Sequence, residues 1–172
     1  MRFLGALVLD ASTYENVEAD RRSAMQSVVV VLAVCVAGGV GAVGFGVSGI
    51  TGFATGAIVA LGAWMVWAVT IIALGTGPLA EPQTRSDLPE LLRVLGFAAA
   101  PGVFVALAAM PPAAPIVMAV VSGWMVASAV VAVRQALDYR STARAVAVCV
   151  TGALLSFGVM SAVALIFSQK VS

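Results

Sequence analysis

Five long apolar stretches constrain this chain more than any other feature of its sequence. They are 19 to 24 residues long, and only Arg93, near the start of the third stretch, interrupts them with a charge. A helix needs about 20 apolar residues to cross a bilayer, and it satisfies its own backbone hydrogen bonds there. The pattern therefore predicts an all-α fold, an integral membrane bundle of five transmembrane helices. The predicted spans are residues 24–47, 52–74, 91–110, 115–133 and 145–167.

The composition supports this class. Hydrophobic residues make up 62% of the 172-residue chain and charged residues 10%, with a mean hydropathy of +1.09. Soluble domains carry about 25% charged residues, so this chain has too little polar surface to cover a soluble core. The net charge of +1 provides no basic field, and nucleic acid is not an expected partner.

The positions of the cations predict the orientation. Eight of the nine cations fall on one side of the predicted bundle, and only Lys170 falls on the other. The positive-inside rule then predicts a cytoplasmic N-terminus and a C-terminus on the opposite side. The eight are Arg2, Arg21, Arg22, Arg85, Arg93, Arg134, Arg140 and Arg144.

The chain divides into three parts. Residues 1–23 form a predicted cytoplasmic N-terminal segment, in which the short apolar run Phe3 to Leu9 is expected to lie at the membrane interface as a short helix. Residues 24–167 form the five-helix membrane domain, and residues 168–172 form a tail.

The residue types argue against catalysis. The chain has no histidine, and its spans carry no ionisable side chain near their centres. Proton relays and nucleophilic sites need such groups, so the chain is not expected to be an enzyme. Cys35 and Cys149 both lie in apolar runs and are expected to pack as small apolar residues. No metal site and no directly ligated cofactor are expected, whereas a bound lipid is compatible with the sequence.

Small residues recur at four-residue spacing in three spans. Such ridges let helix backbones approach closely in a membrane. They serve either packing within one bundle or an interface with another subunit or a second copy, and spacing alone leaves both open. The ridge residues are Gly38, Ala42 and Gly46 in the first span, Gly52, Gly56 and Ala60 in the second, and Ala119, Gly123 and Ala127 in the fourth.

Pro101 lies inside the third span. Proline removes one helical hydrogen bond, so a kink is expected there. The kink is either a fixed feature that shapes the bundle or a hinge or lipid-facing notch.

Polar residues before the first span and after the fourth define a predicted cytoplasmic docking face. On a helix, Arg134 and Asp138 are four residues apart and can pair with each other. This cluster can also pair with Glu15, Glu18 or Asp20 across the same face. The set either anchors the bundle at the interface or binds a partner protein or anionic lipid head groups. Its members are Tyr14, Glu15, Glu18, Asp20, Arg134, Gln135, Asp138 and Tyr139.

Three segments resemble bacterial members of the Yip domain family. They are residues 13–20 (TYENVEAD), residues 92–102 (LRVLGFAAAPG) and residues 133–139 (VRQALDY), within a resemblance that extends from about Phe3 to Phe167. The resemblance implies five spanning helices and a cytoplasmic N-terminus. Eukaryotic members interact with Rab-type GTPases, a role not expected here because the chain has no DLYGP-like segment.

The sequence therefore favours a non-catalytic membrane scaffold or accessory subunit. Such a subunit would associate with membrane lipid and with other membrane-protein subunits or itself, for example within an energy-transducing or pigment–protein complex. The alternative is a transporter-like protein that handles a small solute or a lipid. The expected location is the bacterial cytoplasmic (inner) membrane.

Overall fold

The computed structural model describes residues 2–47, 49–84 and 87–169, with side chains through Ala162. Across these residues the chain is helical and has no strand. Two short helices precede five long ones. They are α1 (Arg2–Leu7), α2 (Ala11–Ala19), α3 (Ser23–Gly41), α4 (Gly49–Gly75), α5 (Leu88–Ala98), α6 (Ala114–Ala136) and α7 (Thr142–Gln169), with 3₁₀ segments Ala42–Phe45 after α3 and Ala100–Ala109 after α5.

Five helices are long and apolar enough to cross a membrane, which confirms the predicted fold class. With their 3₁₀ segments they cover 23–45, 49–75, 88–109 and 114–136, together with α7 from Thr142. Every described boundary lies within three residues of its prediction. Residues 170–172 of the predicted tail, and Arg85 of the basic set, lie outside the described residues.

The third span is the centre of the bundle. Of its apolar window 67% is buried, compared with 17–39% for the other four. It packs against α3 on one side and α6 on the other, while α4 packs against α3 and α7. The central span thus contributes Leu91, Leu95 and Phe97 to the core, each at most 1% exposed.

Five helix termini meet at one end of the bundle, which we call the basic end. Here α3, α5 and α7 begin, and α4 and α6 end. Asp87 begins α5 with a capping box, in which its own backbone N–H donates to the Glu90 carboxylate at 3.2 Å. Which side of a membrane the basic end faces stays a prediction.

The chain changes helix type at Pro101. Residues 88–98 are α-helical, and a 3₁₀ segment of ten residues follows from Ala100. Proline has no N–H to donate to the carbonyl four residues earlier, and Gly102 N donates instead to Ala99 O at 2.8 Å. Because 3₁₀ runs seldom exceed four residues, this segment is an unusual feature of the span.

The N-terminal residues pack against the spans as a helical hairpin. Helix α2 contacts α5 and α6, and α1 contacts α5 and its 3₁₀ segment. Ala6, Tyr14 and Val17 are completely buried. Helix α2 begins at Ala11 because the side chain of Asp10 caps it, accepting from Ser12 N at 3.2 Å.

Candidate functional site

The small-residue ridges of α3 and α4 pack against each other. A Cβ atom built on Gly56 would lie 2.7 Å from Gly38 O and 2.9 Å from Ala42 Cβ, and one on Gly38 would lie 2.7 Å from Ala60 Cβ. No side chain fits at these separations. We call this contact the α3–α4 seam, and it uses four of the six predicted ridge residues within the bundle.

Gly46 and Gly52 serve the turn between α3 and α4. Gly46 has φ +80°, a left-handed conformation that ends the 3₁₀ segment and that glycine adopts without steric cost. A Cβ on Gly52 would lie 2.8 Å from Val47 C and O, so the turn closes tightly on the first residues of α4. These two residues help join the helices of the seam.

The corresponding ridge on α6 is open. Ala119, Gly123 and Ala127 are all exposed, and a Cβ atom on Gly123 would have no described atom within 4 Å beyond its chain neighbours and the nearby backbone of α6. We call this surface the α6 ridge. It has the same four-residue spacing as the seam, and no other helix among the described residues contacts Gly123.

The predicted docking face divides into buried and exposed residues. Tyr14 is fully buried, and its hydroxyl lies 2.6 Å from Ser128 Oγ. Burial raises the pKa of Tyr14 to about 12. Tyr139 is 3% exposed, and its hydroxyl lies 2.6 Å from Gly75 O and 2.9 Å from Leu79 O. Both tyrosines therefore fix one element to another and are not available to a partner.

Glu15 on α2 and Asp20 just after it have side-chain partners within the chain. Glu15 accepts from Gln135 Nε2 at 2.9 Å, and Asp20 pairs with Arg2 at 2.7 Å. The hydrogen bond from Arg2 holds the pKa of Asp20 below its usual range. Burial raises the pKa of Glu18, and nearby carboxylates add to the effect. The contact of Glu15 fastens α2 to the end of α6, and the Arg2–Asp20 pair joins α1 to the residue after α2.

The predicted pair Arg134–Asp138 does not form. Helix α6 ends at Ala136, and Asp138 has φ +52°, so the two residues are not on consecutive helical turns. Both are exposed. Among the described residues the ion pairs are Arg2–Asp20, Arg93–Glu90 and Arg144–Glu81.

Glu81 was not predicted to have a structural role at the basic end. This carboxylate accepts from Arg140 N at 3.1 Å and lies 3.8 Å from Arg144 Nε, which joins the loop after α4 to the loop after α6. The hydrogen bond from Arg140 N is the main reason that the pKa of Glu81 is lowered. In the sequence, Glu81 is distinguished only as a charged residue within a proline-containing loop, which does not indicate its partners.

Arg93 is only 8% exposed and lies inside the basic end instead of extending to its surface. Its Nη2 donates to Glu18 O, near the C-terminus of α2, at 2.8 Å. A cation at a helix C-terminus is favourable because the last carbonyls carry partial negative charge. Arg93 therefore holds α2 against the central span.

The three tryptophans have different environments. Trp124 Nε1 donates to Leu7 O at 3.0 Å, and its ring stacks on Phe104 with centroids 5.5 Å apart. Trp64 Nε1 and Trp67 Nε1 are buried and have no hydrogen-bond partner within the described part of the chain. Ser156 Oγ on α7 shares that condition. Trp64, Trp67 and Ser156 all line one cavity.

No group of three or more cysteine, aspartate or glutamate side chains among the described residues could hold a metal ion. Cys35 and Cys149 are free and buried. The expectation that no cofactor is ligated directly stays a prediction.

These features define the class of the protein, a five-helix bundle able to span a membrane. No protein-family model, no curated protein and no solved structure matches this chain. The resemblance to the Yip domain family therefore stays a prediction.

Proposed function

We propose that this protein is a non-catalytic membrane scaffold or accessory subunit that associates with another membrane protein, or with a second copy, through the α6 ridge. The observation that supports this proposal is the open space at Gly123, between the exposed residues Ala119 and Ala127. Helices in a bilayer associate by close van der Waals packing, and small residues permit that approach. The bundle uses its other ridges internally, which leaves this one for an external helix.

The exposed residues at the basic end support the same role. Arg134, Arg140 and Asp138 are exposed, so this end presents charge beside a membrane surface. Anionic lipid head groups or a partner's polar loop would contact them. The cytoplasmic orientation of this end and a bacterial inner membrane are parts of the proposal.

Crosslinking in native membranes tests the proposal. Gly123→Cys is compared with Gly158→Cys, because Gly158 on α7 is also exposed with no other residue within 4 Å of a built Cβ. We expect Gly123→Cys to give a discrete crosslinked species and Gly158→Cys to give little. Equal crosslinking at both positions, or none at Gly123, would refute the proposal.

A second candidate, lipid handling, is favoured by one observation. The cavity lined by Trp64 and Trp67 is large and uncharged, which suits an apolar molecule. Transport through it would require movement of the spans, and the 3₁₀ segment after Pro101 lies at its edge through Val105. Flux measured in vesicles that vanishes in Pro101→Leu would support this candidate.

A further inference from the structure

A cavity of about 490 Å³ lies between α3, α4, α6 and α7. This volume falls within the range of sites that bind drug-sized ligands. Every residue of its lining is uncharged, and most are apolar, such as Val34, Val59, Val126 and Ala153. Its contents must therefore be compatible with an apolar, uncharged environment.

Three residues that line the cavity each carry a buried hydrogen-bond donor atom that has no acceptor among the described residues. The atoms are Trp64 Nε1, Trp67 Nε1 and Ser156 Oγ. Trp67 and Ser156 are 6% and 7% exposed. Leaving a buried donor unpaired is destabilising, and inside a bilayer there is no bulk water to supply the missing acceptor. Three such donors around one cavity indicate an acceptor that comes from outside the chain.

Trp124 provides a comparison, because its indole N–H also lies in the middle of a span but is hydrogen-bonded. Its N–H finds the Leu7 carbonyl at 3.0 Å, although that residue is 117 positions away. The indole N–H of Trp124 is therefore hydrogen-bonded, whereas those of the two tryptophans that line the cavity are not. The two unpaired indoles share a position beside the cavity.

We propose that this cavity binds a neutral, lipid-soluble molecule whose carbonyl oxygen accepts hydrogen bonds from Trp64, Trp67 and Ser156. Trp64 lies 11 residues from the end of α4 at Gly75, about 16 Å along the helix, which places the donors near the middle of the span. A charged head group is costly at that depth, whereas a carbonyl group is not. Small rotations of the rings and of the hydroxyl would turn the donors toward the ligand.

Quinones and neutral ester lipids both carry such a carbonyl, so the probes must separate them. The first probe is decylbenzoquinone, which quenches tryptophan fluorescence on contact. The competitors are monoolein, an uncharged ester, and decylbenzene, which has a similar chain and ring but no acceptor. The full chain is placed in phosphatidylcholine vesicles as a Trp124→Phe variant, so that only Trp64 and Trp67 report.

We expect quenching to saturate with the quinone. Trp64→Phe, Trp67→Phe and Ser156→Ala should each raise the half-saturating mole fraction at least fivefold, and each variant keeps at least one reporting indole. The matched control is Ser122→Ala, because Ser122 also lines the cavity but is exposed and is not an unpartnered buried donor. It should leave binding unchanged.

The competitors decide the outcome. If monoolein displaces the quinone, the site accepts an ester carbonyl. If monoolein does not displace it, the site is selective for the quinone. Both results support the proposal. Quenching that does not saturate, equal displacement by decylbenzene, or equal affinity in all variants would overturn it. Gly123→Leu should not change quinone binding, so this proposal and association through the α6 ridge fail independently.

Discussion

The α3–α4 seam and the α6 ridge have the same sequence pattern and opposite surroundings. In the seam, Gly38 and Gly56 lie so close together that a Cβ on either would overlap the facing helix. On the ridge, a Cβ on Gly123 would meet open space among the described residues. Small residues at four-residue spacing therefore indicate a close contact between helices. The spacing does not indicate whether the second helix belongs to the same chain.

Connectivity explains the difference. Helices α3 and α4 are joined by a short turn in which Gly46 and Gly49 both have positive φ, so the two ridges face each other as neighbours in the chain. Helix α6 packs against the central span, α7 and α2 with its other faces. Its ridge remains on the outside of the bundle.

The largest difference in stability is expected when glycine is replaced by alanine in the α3–α4 seam and, separately, on the α6 ridge. Gly56→Ala puts a methyl group 2.7 Å from Gly38 O, so the helices must separate, at a cost of about 3 kcal/mol in the free energy of unfolding. Gly123→Ala should change that free energy by less than about 0.5 kcal/mol. Unfolding by denaturant titration in mixed micelles measures both values. Similar losses in the two variants would mean that the ridge is also packed within the bundle.

A somewhat smaller effect is expected on the face of α6 that the N-terminal hairpin covers. Tyr14→Phe removes the contact with Ser128 Oγ and leaves that buried hydroxyl without its 2.6 Å partner. We expect the free energy of unfolding to fall by about 2 kcal/mol. Hydrogen exchange should increase in α1 and α2, while crosslinking at Gly123 stays unchanged. Unchanged exchange in residues 2–19 would show that Tyr14 does not hold the hairpin.

The tryptophans provide a matched pair. Trp124→Phe deprives Leu7 O of its donor and should lower the free energy of unfolding by about 1 kcal/mol. Trp67→Phe removes a donor that is unpaired within the described chain and should leave stability equal or higher when no ligand is bound. Thermal unfolding of lipid-stripped protein measures both. A larger loss in Trp67→Phe would mean that its indole already has an acceptor.

The smallest effect concerns pH. The raised pKa of Glu18 means that the folded protein binds this proton more readily than the unfolded chain does. Its contribution to stability therefore falls as pH rises above the ordinary value of 4.5 and through the raised pKa. Glu18→Gln should remove this part of the pH dependence, measured as the free energy of unfolding across pH. The lowered pKa of Glu81 acts in the opposite direction, because its contribution is lost as pH falls below 4.5.

The spans could be predicted because their signal is local. Long runs of apolar residues identify α3 to α7, and the capping box at Asp87 and Glu90 locates the start of α5. The partner of each ridge could not be predicted, because spacing gives the face of a helix but not its neighbour. The Arg134–Asp138 pair failed because Asp138 adopts a left-handed backbone just beyond the helix end, a detail with no clear sequence signal.

The hairpin was the least predictable element. Its buried residues are Ala6, Thr13, Tyr14 and Val17, too few to give a visible periodic pattern. The partners that retain it, Ser128 and Trp124, are more than 110 residues away in the sequence. The cavity was equally hidden, because nothing in the sequence distinguishes Trp64 and Trp67 from the satisfied Trp124.

The contact between Tyr14 and Ser128 also determines an order of events during synthesis. These residues are 114 positions apart, and at about 5–20 residues per second the ribosome takes roughly 6–23 s to pass from one to the other. Throughout that time α2 lacks part of the surface on which it docks, because the residues of α6 up to Ser128 have not all been made. The beginning of the chain therefore completes its packing only after α6 has been synthesised.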